Sequence, residues 1–91
     1  MSASEIINAL KGLSGVKFFE VYKKSTFKCH RNKKNGDVQT VTVDVFDGGA
    51  EAGENRYHCV ATSDDGAEAT GNPASTIEVV FATLHWNKLD P

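Results

Sequence analysis

Apolar residues recur near the start of the chain at Ile6, Ile7, Leu10 and Leu13, the spacing of a single helix stripe. Ser2 and Glu5 have capping-box spacing, which satisfies two of the N–H groups left open at a helix start. Gly12, Ser14 and Gly15 follow, and glycine tolerates the conformations that close helices. The pattern predicts a helix over 3–13. Strand formers then dominate 16–31: Val16, Phe18, Phe19, Val21, Tyr22, Thr26 and Phe27. Phe18 and Phe19 are adjacent and Lys23-Lys24-Ser25 intervenes, so the strand needs a bulge or kink near 23–25. A helix over 17–24 is the alternative.

Asn35-Gly36 sits between two strand-like runs, a strong hairpin signal because both residues accept positive φ. The clearest strand is 38–46, where Val41, Val43 and Val45 alternate with Thr40, Thr42 and Asp44. An acidic loop at 47–55 leads to a third strand at 56–62. Residues 63–72 are turn-rich, and 67–70 could extend a strand. The last element is a helix over 73–86, with Asn72 as N-cap and Pro73 at the first helical position. Ser75 and Glu78 offer a second capping box and a later start. Ile77, Val80, Phe81 and Leu84 form its apolar stripe. Trp86 at its end either closes a small core or stands exposed as an interaction site. The tail, Asn87–Pro91, packs by Leu89 or frays.

Short connections make the three strands an antiparallel meander. The helix stripes need an apolar surface, and one sheet face is the only large one available. The expected fold is therefore α+β, in the order α-β-β-β-α. It has a three-stranded antiparallel sheet with both helices packed on one face, as a single domain over 1–91. The other sheet face, with Thr40, Thr42 and Asp44, meets solvent or a partner.

This element order, with VTVDVF at 41–46 in the place of a central strand, resembles the double-stranded-RNA-binding domain. The resemblance covers nearly the whole chain and is topological. It implies RNA contact by the first helix, the loop between the first two strands and a lysine cluster at the second helix start. The first loop here is basic, with Arg31, Lys33 and Lys34; the second helix start, TGNPASTIE, carries no Lys or Arg, and the family's Gly-Pro-x-His loop is absent. Phosphate contacts dominate affinity for duplex RNA, so the resemblance implies the fold more firmly than the binding.

The chain has 91 residues, 40% of them hydrophobic and 24% charged. That composition excludes disordered and collagen-like readings and leaves little room for an enclosed substrate cavity. No apolar run approaches the roughly 20 residues of a membrane span, and MSASEIINAL lacks the pattern of a signal peptide. Two cysteines without an export signal point to free thiols in a reducing cytoplasm.

The net charge of −2 hides an asymmetry: residues 1–36 sum to +6 and 37–91 to −8. Six of the ten basic side chains, Lys23, Lys24, Lys28, Arg31, Lys33 and Lys34, fall in one segment with no acid between Val21 and Gly36. With Phe18, Phe19, Tyr22 and Phe27 interleaved, these six are the candidate polyanion-binding residues, since cations and aromatics together track a phosphate backbone. The same lysines also serve as solvated guards of a strand edge.

Cys29-His30 and His58-Cys59 hold zinc-ligand residue types, but neighbours on a strand point to opposite faces, so the four do not converge. That geometry also separates His58 from Cys59 as base and nucleophile, leaving Cys29 with His58 or His85 as the open pairing, and strand two between strands one and three disfavours a Cys29–Cys59 disulfide. DGGAEAGEN and SDDGAEATG lack the calcium-loop pattern. No catalytic residue, cofactor or metal is expected. The expected function is a small non-enzymatic domain, a monomer that binds an unidentified protein through its open sheet face or a strand edge. The alternative is weak nucleic-acid binding, in the manner of duplex-RNA recognition, through the basic hairpin.

Overall fold

The computed structural model describes residues 2–90. The first helix, α1 (Ala3–Lys11), begins at the expected capping box: Glu5 N–H donates to Ser2 Oγ, and Ser2 N–H donates back to the Glu5 carboxylate. Residues 12–22 carry no strand or helix, although their composition favours one. The reason lies in the register. Strand β1 (Lys23–Asn32) pairs antiparallel with β2 (Val38–Asp47), from Asn32 opposite Val38 to Lys23 opposite Asp47. Strand β2 ends at Asp47, so residues 16–22 overrun it and have nothing to pair with. Strand propensity needs such a partner to be expressed. The Phe19 ring is 96% exposed there.

The sheet has four strands, not three. After β3 (Tyr57–Ser63), the chain turns at Asp64-Asp65-Gly66 and returns as β4 (Glu68–Thr70). The order β1-β2-β3-β4 is a pure meander. Only Glu68, Ala69 and Thr70 form β4, too few for an alternation to register in a sequence. Both hairpin turns have the same construction. Lys33 N–H donates to Asp37 O and Gly36 N–H to Lys33 O; Ser63 N–H donates to Ala67 O and Gly66 N–H to Ser63 O. Gly36 and Gly66 both sit at φ 92°, and no non-glycine residue among those described has a positive φ. Each turn is thus a three-residue loop closed by a left-handed glycine, not a two-residue turn with Asn35 also left-handed.

The core lies on one face of the sheet. Val41, Val43 and Val45 of β2, Cys59 and Ala61 of β3, and Ala69 of β4 pack under Val80, Leu84 and Leu89. Helix α2 (Ile77–Thr83) is shorter than the 73–86 expected. Its cap is Thr76, whose side chain accepts from Val79 N–H. Neither Asn72 nor Ser75 serves: Ala74 and Tyr57 exchange two backbone hydrogen bonds as an isolated bridge, which keeps Ala74 out of the helix. A short 3₁₀ turn, Trp86–Leu89, follows and buries Leu89. Pro91, the end of the expected tail, lies outside the described residues. Ala61 and Ala69 are fully buried, and small side chains here let α2 sit close to the sheet. Gly71 has the same purpose: a Cβ there would stand 3.1 Å from Leu84 Cα.

The second correction concerns the helices. Of the two helices only α2 covers the core face, over β3, and the 3₁₀ turn Trp86–Leu89 continues that cover over β3 and β4. Helix α1 docks on the connection between β2 and β3: Ser4 Oγ accepts from Ala50 N–H, Asn8 donates to Glu51, and Ile7 is buried beside Gly49. Gly49 is left-handed (φ 90°), and a Cβ there would meet Ile7 at 3.6 Å. That connection contains 3₁₀ turns over Ala50–Asn55 rather than an irregular loop. Ile7 therefore belongs to a satellite contact, separate from the main core. With α1 drawn away from the sheet face, part of that face is left bare.

Candidate functional site

The bare part lies along β1. The register places Ser25, Phe27, Cys29 and Arg31 on the core face, opposite Val45, Val43, Val41 and Gln39. Those β2 residues are buried, yet Phe27 is 54% exposed and Cys29 is exposed. Helix α2 stops short of β1 and leaves a groove of about 360 Å³ lined by Phe27, Cys29, Val43, Phe81 and Trp86. The indole N–H of Trp86 donates to Phe81 O at 2.7 Å, which fixes the ring as one wall. Trp86 is 37% exposed, so it partly closes the core and partly lines the groove.

A polar network bounds the groove at the hairpin end. Arg31 holds Asp90 through two hydrogen bonds of 3.0 and 2.8 Å and donates a third, 2.8 Å, to Gln39 Oε1. Gln39 is 1% exposed, and its amide donates to Leu89 O at 3.0 Å and to Asp65. Lys33 completes the set with a 3.0 Å ion pair to Asp65, whose carboxylate also accepts from Ser63. This network ties the C-terminal segment to the first hairpin. The Arg31 guanidinium holds the Asp90 carboxyl below its ordinary value, and the Ser63 hydroxyl and the Lys33 ammonium hold Asp65 far below it.

Both folded-state values are depressed relative to an unfolded value near 3.9. The stabilisation is therefore full above about pH 5 and is lost progressively as pH falls through the unfolded and then the folded values. Melting temperature should drop between pH 5 and pH 2, and Asp90→Asn should flatten that slope. Identical slopes for the two proteins would refute the assignment to Asp90.

On the opposite face β1 presents Lys24, Thr26, Lys28 and His30 beside the Thr40, Thr42 and Asp44 surface of β2. Thr26 donates to Asp44 at 2.7 Å, Lys28 to Thr42 at 2.6 Å, and His30 Nδ1 lies 3.2 Å from Thr40 Oγ1. Lys24 is 3.9 Å from Asp44 and sits over the Phe46 ring, which stacks on His58. At one outer edge of the sheet runs the ten-residue β1, which has no strand on its far side among the described residues.

The structure does not gather the six basic candidates on one surface. Lys24 and Lys28 lie on the open face, Arg31 on the core face against Asp90, and Lys33 against Asp65. Lys23 opens the strand opposite Asp47, and the Lys34 backbone N–H donates to Asp90. The histidines and cysteines divide in the same way. Cys29 and Cys59 lie on the core face, His30 and His58 on the other, and β2 separates the two cysteines. Both thiols are free; burial, reinforced by Asp44, pushes the Cys59 thiol up to about 11.

Phe27, Phe81 and Trp86 lie far apart in the sequence, and only the fold brings them to one surface. β1 and α2 carry one aromatic ring each, Phe27 and Phe81, so no local pattern joins them to Trp86. No helix among the described residues is long and apolar enough to cross a membrane. No known protein family, curated protein or solved structure matches this chain.

Proposed function

We propose that this chain is a small non-enzymatic protein-interaction module that receives an extended segment of its partner along β1. The observation carrying this reading is the exposed Phe27 ring in an apolar groove beside the free edge of β1. Strand addition supplies main-chain hydrogen bonds at the edge, while the groove selects every second side chain. Separation of Cys29 from His30 and of His58 from Cys59 onto opposite faces supports a binding role over nucleophilic catalysis. Two free thiols are in keeping with a cytoplasmic setting, and the cationic β1 edge with a monomer.

Cys29 lines the groove and so reports its occupancy. Panning a phage-displayed peptide library on the domain should enrich peptides that slow alkylation of Cys29 and bind the Phe27→Ser variant at least tenfold more weakly. Equal enrichment on that variant, or alkylation unchanged by the enriched peptides, would sink the proposal.

Weak nucleic-acid binding is the second reading, favoured by one observation: Lys23, Lys28 and Lys34 hold no ion pair among the described residues. The resemblance to the double-stranded-RNA-binding domain adds nothing to it, since that likeness rests on a three-stranded sheet and the sheet here has four strands. This second reading requires that a short RNA duplex at low salt shift the amides of 28–36, that salt reverse the shift, and that Lys33→Glu with Lys34→Glu abolish it. No shift at low salt disposes of it.

A further inference from the structure

We infer that the segment received by β1 is acidic and amphipathic, with Asp or Glu alternating with large apolar residues. The inference rests on the docking reading above and specifies its partner. A strand added beside β1 presents successive side chains to opposite faces of the sheet. On the core face its neighbours are Phe27 and Cys29, with the groove walled by Phe81 and Trp86. Side chains there must be apolar, and positions two apart, about 6.6 Å, match the Phe27–Cys29 spacing. On the other face the neighbours are Lys24, Lys28 and His30. The ammonium of Lys28 rests on a threonine hydroxyl, and Lys24 is 56% exposed with its single carboxylate at 3.9 Å. Carboxylates on an incoming strand would complete both.

A second copy of the chain fits the same edge poorly. The β1 sequence, KKSTFKCHRN, contains no acid. A two-fold at Lys28 sets that lysine against its own copy, and a two-fold at Phe27 sets Lys24 against His30, which offers it no carboxylate. Like charges directly opposite destabilise a strand pair, and no register of β1 on itself supplies a carboxylate. Charge complementarity therefore selects a heterologous partner over self-pairing.

The test uses the full chain and three capped decapeptides that alternate Val, Ile and Phe with Glu, with Thr or with Lys. The Glu peptide should bind tightest. It should shift the amides of Phe27, Cys29, Lys24 and Lys28 and the Trp86 indole signal in NMR. Its affinity should fall at least tenfold between 50 and 500 mM salt, because exposed charges are screened. Lys24→Glu with Lys28→Glu should weaken the Glu peptide at least tenfold and favour the Lys peptide instead. That gain of binding shows the variant is folded.

Three results overturn the inference in distinguishable ways. If the Thr or Lys peptide binds the unaltered chain as tightly as the Glu peptide, acid selectivity fails while docking at β1 stands. If no peptide binds and Cys29 alkylation is unchanged in every case, the docking reading itself fails. If sedimentation shows a concentration-dependent dimer abolished by Phe19→Ser, the occupant is the exposed 12–22 segment of a second copy.

Discussion

Leu89→Ala should destabilise the fold by about 3 kcal/mol, within the 2–5 kcal/mol range for truncating a buried leucine. Leu89 is the third residue from the end of the sequence and lies outside the sheet and both α-helices, yet it is only 1% exposed. It packs with Val80 and Leu84 against the valines of β2 and the alanines of β3 and β4. Its own carbonyl accepts from Gln39, so the segment is held by packing and by a hydrogen bond together. The site cannot collapse easily, because the sheet beneath is fixed by its ladders and only the 3₁₀ turn can move. For a domain of this size the change corresponds to a fall in melting temperature of roughly 15 °C. Urea unfolding would measure it directly, and a loss below about 1 kcal/mol would show that the C-terminal segment does not belong to the core.

Gln39→Ala should be nearly as damaging, at about 2–3 kcal/mol, for a different reason. Its amide reaches Leu89 O and Asp65, and its Oε1 accepts from Arg31. Truncation leaves the carbonyl of the buried Leu89 without this partner, while Arg31 and Asp65 stay within reach of water. A buried polar group left without a partner costs about 1–3 kcal/mol, and the vacated side-chain volume adds to that. The effect should not add to that of Leu89→Ala, since the two residues share a hydrogen bond. A double mutant whose loss equals the sum of the single losses would refute that coupling. Both variants should also loosen the Trp86 wall of the groove, so each should weaken peptide binding beyond its effect on stability.

Elements defined by local chemistry were legible along the chain. The Ser2–Glu5 capping box sets the start of α1, and the Val41-Val43-Val45 alternation sets the face of β2 that is buried. The stripe of Ile77, Val80, Phe81 and Leu84 identifies the face of α2 that meets the sheet. Elements defined by a partner were not. Residues 16–22 have strand composition and no strand to pair with, whereas Glu68–Thr70 has weak composition and pairs because the Gly66 turn delivers it to β3. The start of α2 moves to Thr76 because Tyr57, distant in sequence, keeps Ala74 extended.

The candidate site divides in the same way. Its cationic half could be read directly, since no acid falls between Val21 and Gly36. Its apolar half depends on where α1 goes, and the α1 stripe specifies only that an apolar surface must cover it. Ile7 against Gly49 and Ser4 against Ala50 hold α1 at the β2–β3 connection, leaving Phe27 uncovered. The fate of the basic residues likewise depends on contacts across 59 and 32 positions, Arg31 with Asp90 and Lys33 with Asp65. The sequence by itself determined the α+β class, the buried face of β2, the hairpin at Gly36 and the basic character of β1, because capping, alternation and turn chemistry act between near neighbours. The tertiary structure alone decided the pairing of 68–70 as a fourth strand, the place of α1, the pairing of the charges and the open groove, because each depends on which distant surface buries an apolar face or neutralises a charge.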